Sequence, residues 1–185
     1  MSRITTSIAA VFCAMCLACG DGNEDEHSHE GDDEHSNGPT AKATFAPKSG
    51  NTTLAGTATF SGETGKVSIK VELTGAPPGE HGLHIHMTPD CADEMAMNAG
   101  GHWNPGMHTH GAPGAAVSHL GDIGNFTVAA DGTATHTATN ALWELGTGTA
   151  NDVKNKAVVV HAMVDDLKTD PTGNAGGRIG CGVIQ

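Results

Sequence analysis

Histidine is the residue to follow first in this chain, because neutral imidazole is the commonest metal ligand among protein side chains. His84 and His86 flank Ile85 in an apolar run that reads as a strand. A strand's period of two throws both imidazoles onto one face, which makes a chelating pair. Further along, His102, His110 and His119 are followed by Asp122. Three imidazoles and one carboxylate are a donor set for a closed tetrahedral zinc site. A second apolar run ends at His161. Taken singly, the loop histidines are exposed polar residues and His161 is a satisfied core histidine. Taken together, one binuclear metal site accounts for all of them, which unrelated coincidences do not.

Ligands this far apart in sequence need a rigid frame. Alternation of apolar and polar residues over 53–60, 66–73 and 125–129 predicts half-buried strands, and the continuous apolar run 157–160 predicts a strand covered on both faces. The strand pattern begins at about Thr40, and Asp131-Gly132 is a hairpin turn signal between two such runs. Glycine is frequent, with 26 residues, tyrosine is absent, and no convincing amphipathic helix separates the strands. The expectation is an all-β fold, an antiparallel sandwich or barrel. Residues 88–121 differ, being rich in Gly, Pro, His and Met with little strand pattern. A loop that long in a compact domain is usually functional or disordered, and its histidines favour function.

At 185 residues the chain allows one ordinary domain after a targeting segment. Residues 1–18 read as a signal peptide: Arg3 near the start, an apolar stretch over 8–18, then Cys19. That stretch is too short to span a bilayer. Leu17-Ala18-Cys19-Gly20 resembles a bacterial lipoprotein cleavage box, with Cys16 where the box usually carries an aliphatic residue. Cys19 is then the lipidation site, with plain secretion as the alternative. Residues 19–38 are acidic, carry His27, His29 and His35 and no large apolar side chain, and are expected to form a disordered tether. It is either a solvated spacer or a metal-gathering arm. Residues 39–185 make the folded domain. If Cys13 and Cys16 leave with the signal and Cys19 carries lipid, Cys91 and Cys181 remain, an even pair suited to an oxidising compartment such as the periplasm. The net charge of −12 offers no basic face, so nucleic acid is excluded as a partner.

Three runs carry a closer resemblance: Gly82-Leu83-His84-Ile85-His86, Gly101-His102-Trp103-Asn104-Pro105 and His119-Leu120-Gly121-Asp122. They resemble the metal-binding signatures of copper/zinc superoxide dismutases. Residues 173–178 with Cys181-Gly182-Val183-Ile184 resemble that family's closing signature. The match covers most of residues 80–185, in the family's order, whereas residues 40–79 match only in strand pattern. The resemblance implies an immunoglobulin-like Greek-key sandwich or barrel with long metal-binding loops. It implies copper at His84, His86, His102 and His161, and zinc at His102, His110, His119 and Asp122, with His102 shared. Ligand chemistry agrees, since four imidazoles suit a redox-cycling copper ion and the aspartate oxygen suits zinc.

The activity implied is disproportionation of superoxide to dioxygen and hydrogen peroxide, with copper supplying the electron exchange and His102 a proton. Arg178 matches the arginine that guides superoxide, and Thr172 a residue narrowing the channel mouth. Asp165, with Asp166 as competitor, matches a carboxylate that orients one copper ligand and one zinc ligand. Cys91 and Cys181 match the family's disulfide. His81 matches a structural histidine, whereas His108 and His136 match no ligand and are expected to be exposed. Residues 167–172 are a shortened form of the loop that steers substrate in many relatives, with Lys168 its one base. The expected state is a monomer or a homodimer, touching a membrane only through a lipid on Cys19. Two rivals stay open: a copper-only dismutase, against which His110, His119 and Asp122 argue, and a metal-storage lipoprotein, which would have no use for Arg178.

Overall fold

The computed structural model describes residues 38–51 and 53–185. The signal peptide, Cys19 and the tether up to residue 37 lie outside the described residues. Eight strands carry the described chain: β1 (Thr40–Pro47), β2 (Ala55–Glu63), β3 (Lys66–Thr74), β4 (Gly79–His86), β5 (Asp122–Val128), β6 (Ala134–Asn140), β7 (Ala157–His161) and β8 (Arg178–Val183). They pair antiparallel in the order β5-β4-β7-β8-β1-β2-β3-β6. β1 serves two sheets: Thr40 to Phe45 pair with β2, and Ala46 and Pro47 pair with β8. One strand thus joins two four-stranded sheets into a nearly closed barrel. The connections from β3 to β4 and from β6 to β7 cross between the sheets, as a Greek key requires. The only helical piece among the described residues is the 3₁₀ turn Met97–Ala99. The all-β Greek-key barrel expected from sequence is the fold this chain adopts.

The alternation read from sequence has the expected physical result. In β1 and β3 every second residue is buried, so each strand gives one face to the core and one to water. β7 is buried at all five positions and β4 from His81 onward. These two adjacent strands are covered on both faces. Leu83, Ile85, Val158 and Val160 join the barrel core with Phe60 and Ile69. His84, His86, Val159 and His161 take the opposite face, where the segment 88–121 roofs them.

Backbone bonds clamp that roof to the sheet. Trp103 N–H donates to Ile85 O at 2.8 Å, Ile85 N–H to Gly121 O at 2.8 Å and Gly121 N–H to Trp103 O at 2.9 Å, so both limbs of the loop are tied to β4. A Cβ on Gly121 would overlap the Ile85 carbonyl, and only glycine admits so close an approach. His102 is thereby set beside His86 in an isolated bridge. Cys91 in the roof is disulfide-bonded to Cys181 in β8, with Cα atoms 5.7 Å apart.

Two sequence expectations need correction. The Asp131-Gly132 turn forms, with the Asp131 carboxylate accepting from Thr133 N–H at 3.0 Å and its hydroxyl at 2.7 Å. The flanking strands do not make a hairpin ladder, because β5 pairs with β4 and β6 with β3, leaving the turn to bridge the barrel's open seam. His136 is half-buried rather than exposed: it lies on the seam strand β6, where its ring centroid stands 6.0 Å from that of Phe126.

The disulfide spans a sequence separation of 90. Restoring the freedom of so long a loop to the unfolded chain costs about 4–5 kcal/mol in the chain-entropy account. The Cys91→Ser/Cys181→Ser protein should therefore unfold at lower urea, with a loss of stability of up to that order. An unchanged midpoint would mean that the bridge contributes nothing to the fold.

Candidate metal centre

Two clusters of donor atoms lie on the outer face of β4 and β7. In the first, one ring nitrogen each from His84, His86, His102 and His161 falls within 4.8 Å of all the others, and all four residues are buried. Nε2 of His86 and Nε2 of His161 stand 3.3 Å apart. The outer nitrogens are otherwise engaged: Nε2 of His84 bonds the Asp165 carboxylate at 2.8 Å, Nδ1 of His86 donates to Gly100 O at 2.9 Å, and Nδ1 of His161 faces Gly176 O at 3.3 Å. Two of the inner nitrogens are left without a partner. Nδ1 of His84 and Nε2 of His102 are both buried and lack any hydrogen bond.

In the second cluster three imidazoles converge on one carboxylate oxygen. Oδ1 of Asp122 lies 2.9 Å from Nδ1 of His102, 3.1 Å from Nδ1 of His110 and 3.3 Å from Nδ1 of His119. Nδ1 of His119 and Nδ1 of His102 are 3.3 Å apart. His84 also has a donor within 4.8 Å of His102, His110 and Asp122. With its Nε2 on Asp165, however, His84 belongs to the first cluster, and the short contacts place His119 in the second.

These spacings test whether metals fit. A tetrahedron with bonds of about 2.0–2.1 Å has edges of about 3.3–3.4 Å, close to the separations around Asp122. Ring nitrogens 3.3 Å apart bring two lone pairs together unless a proton or a cation sits between them. Buried polar atoms without partners are costly, which makes the two orphaned nitrogens further calls for a ligand. The donor sets therefore fit a pair of cations, with His102 presenting Nδ1 to one and Nε2 to the other.

Asp165 couples the clusters. It is 1% exposed, and its two carboxylate oxygens reach Nε2 of His84 at 2.8 Å and Nε2 of His110 at 2.9 Å, one residue from each set. Its neighbour Asp166 turns away and caps a turn, bonding the Thr169 hydroxyl and the amides of Lys168 and Thr169, which hold its carboxyl down at about 2. Of the two candidates, Asp165 alone stands at the ligands.

Sequence reading passed over the residues that hold Asp165. Asn125 on β5 donates from Nδ2 to the Asp165 carbonyl at 2.8 Å and accepts the Asp165 N–H at 2.7 Å. A Cβ on Gly173 would overlap Oδ1 of Asp165 and lie 2.6 Å from Nε2 of His110, so this link exists only beside a glycine. Asp170 accepts the His110 N–H at 2.6 Å. His81, expected to be structural, spans two carbonyls, with Nδ1 2.9 Å from His161 O and Nε2 2.8 Å from Pro77 O.

Arg178 lies at the cleft above the first cluster, where His86, His102, His161 and Thr172 also line the wall. Its guanidinium donates to the carbonyls of Ala96 and, at 2.6 Å, of Gly100. Gly100 O also accepts from His86, so one carbonyl joins Arg178 to the first cluster. Arg178 is therefore fastened into the roof and is no free surface arginine. It is the one lysine or arginine lining this cleft among the described residues, and Lys168 is exposed elsewhere.

Burial and charge keep five of these donors unprotonated. Burial, reinforced by neighbouring imidazoles, holds His84 and His86 well below the ordinary imidazole value. Burial also lowers His119, and it lowers His161 to about 4. Burial would raise the Asp122 carboxyl, but the hydrogen bond from His102 and the proximity of His110 and His119 outweigh it and hold the group ionised. Neutral imidazoles and an ionised carboxylate are the forms that bind metals.

A family model described as copper/zinc superoxide dismutase (SODC) matches residues 54–184. Among solved structures the chain is similar to the clock protein EA4, at 32% identity and a TM-score of 0.70, over 80% of this chain and 94% of that one.

The imidazole shifts fix the sign of a pH effect. An unfolded imidazole titrates near 6.5, so below about that pH the unfolded chain takes up protons that the folded, metal-free domain refuses. Stability should therefore be full above about pH 7 and fall as the pH drops from 6.5 toward 4, the value to which His161 is lowered. Urea midpoints of the metal-free domain across this range check it. A flat profile would contradict the burial of these rings as neutral groups.

Proposed function

Because this chain belongs to the copper/zinc superoxide dismutase family, a family of oxidoreductases that use copper and zinc, we propose that it disproportionates superoxide at copper and zinc ions bridged by His102. Two superoxides and two protons give one dioxygen and one hydrogen peroxide. The observation that carries this reading is the position of His102, whose Nδ1 stands in the Asp122 cluster while its Nε2 is orphaned within the other.

His84, His86, His102 and His161 would hold copper, and His102, His110, His119 and Asp122 would hold zinc. When bound, copper supplies one-electron exchange with superoxide, and zinc supplies fixed positive charge. The protein's own part lies in orientation, proton supply and access. Asp165 and Gly100 O fix the rings of His84, His110 and His86, so their donor nitrogens cannot rotate away. Nε2 of His102, held without a hydrogen-bond partner, is the position at which a proton can be taken up and handed to the reduced substrate. Arg178 places a cation at the mouth of a cleft whose described lining holds no carboxylate, which favours entry of a small anion. A chain of net charge −12 otherwise disfavours that entry.

Export and anchoring through Cys19 belong to the same proposal. The Cys91–Cys181 bridge supports export, since structural disulfides persist in oxidising compartments.

The test is a partition of metals. Protein reconstituted with both ions should carry about one copper and one zinc per chain and be active toward superoxide. His161→Ala should lose copper and activity while keeping zinc, because His161 belongs to one cluster alone. Asp122→Ala should lower zinc affinity first, by at least the 10–100-fold that weaker support of a ligand costs. If both variants released the same metal to the same extent, the assignment would be wrong. Fully loaded wild-type protein with no dismutase activity would favour a metal store.

A further inference from the structure

The cleft over the proposed copper ligands has two more side chains at its edge that the dismutation reading leaves unused. Met95 and Met97 line it beside His86, His102, His161 and Arg178, and they are 58% and 60% exposed. Neither thioether belongs to the barrel core. The turn that presents them is nevertheless tightly held. The Asp93 carboxylate accepts from the backbone N–H groups of Met95 at 3.0 Å, Met97 at 2.9 Å and Asn98 at 2.8 Å. Ala96 between them is fully buried, clusters with Ala99 and Cys181, and gives its carbonyl to Arg178. It also adopts a left-handed backbone with φ 54°, a conformation disfavoured for alanine. Such a conformation persists only where its surroundings over-determine it. The result is a Met-x-Met pair, rigid at its centre and exposed at both ends, on the wall of the copper cleft.

We propose that Met95 and Met97 form a docking site for cuprous ion, which binds the two thioether sulfurs before passing into the His84, His86, His102 and His161 cluster. This rests on the copper reading of that cluster. Thioethers are soft, uncharged ligands that select Cu(I). Their softness matters here because Arg178 repels cations at the cleft, and the carboxylate beside the pair, Asp93, is shared between that guanidinium and the amides of Met95, Met97 and Asn98. A cation entering by this route is held chiefly by covalency. The transfer changes no oxidation state: two thioether bonds to Cu(I) are exchanged for bonds to the neutral imidazole nitrogens of His84, His86 and His161, while His102, held by zinc through Nδ1, keeps its proton on Nε2 and none has to leave.

The experiment uses the mature protein, loaded with zinc and free of copper, and the variant Met95→Leu/Met97→Leu, which keeps bulk and apolarity. Copper is offered either as the Cu(I)–acetonitrile complex without oxygen or as Cu(II) sulfate, and uptake is followed as copper becomes resistant to a competing chelator. Uptake from Cu(I) should slow about tenfold in the variant, the lower end of what losing a supporting contact costs at metal sites. Uptake from Cu(II) and the final copper content should not change. Equal Cu(I) rates in the two proteins would overturn the proposal, and so would equal slowing for both oxidation states, which marks a purely structural role.

Ag(I), a redox-inert stand-in for Cu(I), gives a second reading on His161→Ala protein carrying ¹³C-methyl methionine. The Met95 and Met97 methyl signals should shift while Met107, 90% exposed, does not. A matching shift at Met107 would reduce the effect to general thioether binding and overturn the site. Failure of the wild-type protein to retain copper from either source would instead strike the copper reading, and the Ag(I) shifts would still decide the docking site.

Discussion

Buried nitrogen lone pairs that face each other about 3 Å apart are the constraint on which the rest of this molecule depends. Six imidazoles and two carboxylates are withdrawn from water on the outer face of one sheet. Such groups are tolerable only if every nitrogen is satisfied. The structure meets part of that demand itself, through Asp165, Gly100 O and Gly176 O on the outward nitrogens. The inward ones are left for cations. Because burial holds His84, His86, His119 and His161 below the ordinary imidazole value, protons are poor substitutes for metal at those rings near neutral pH. The fold is thereby biased toward its metal-bound form, since whatever binds the native arrangement but not the unfolded chain adds to stability.

Positioning these groups falls to elements that do no chemistry. β4 and β7 lie side by side within their sheet, each giving alternate residues to the barrel core. Their other faces need a lid to bury them, and the segment 88–121 provides it. That segment brings His102, His110 and His119 with it. Its attachments are redundant: the ladder through Trp103 and Gly121, the bridge from Cys91 to β8, and Arg178 across Ala96 and Gly100. Arg178 is tied to His86, because the carbonyl of Gly100 serves both, and under the proposed function that links substrate access to ligand geometry. A change at Arg178 is thus felt in the roof as well as in the field that a superoxide meets.

Much of this was legible in the sequence because strand periodicity is short-range. The spacing of His84 and His86, and the donor set of His102, His110, His119 and Asp122, point to a metal site from sequence alone, and the resemblance to a family divides the set between two metals. What stayed hidden depends on contacts between distant segments. Nothing local marks Asn125 as the clamp on Asp165, 40 residues away. Gly173 reads as one more loop glycine until the carboxylate it admits is in view. The Asp131-Gly132 pair carried a correct turn signal, but which strands pair across a turn is decided by barrel closure. His136 is half-buried for the same reason, its ring facing Phe126 across the seam.

The central claim is that one imidazole, His102, joins the two metal sites, and magnetism tests it most directly. Protein carrying Cu(II) in the His84, His86, His102 and His161 set and Co(II) in the His102, His110, His119 and Asp122 set should show exchange between the two spins through the shared ring. The copper signal in electron paramagnetic resonance should then be strongly diminished relative to protein with copper and zinc. A full-strength copper signal with both sites verified as occupied would show that the metals are not bridged, and the account of His102 would fail.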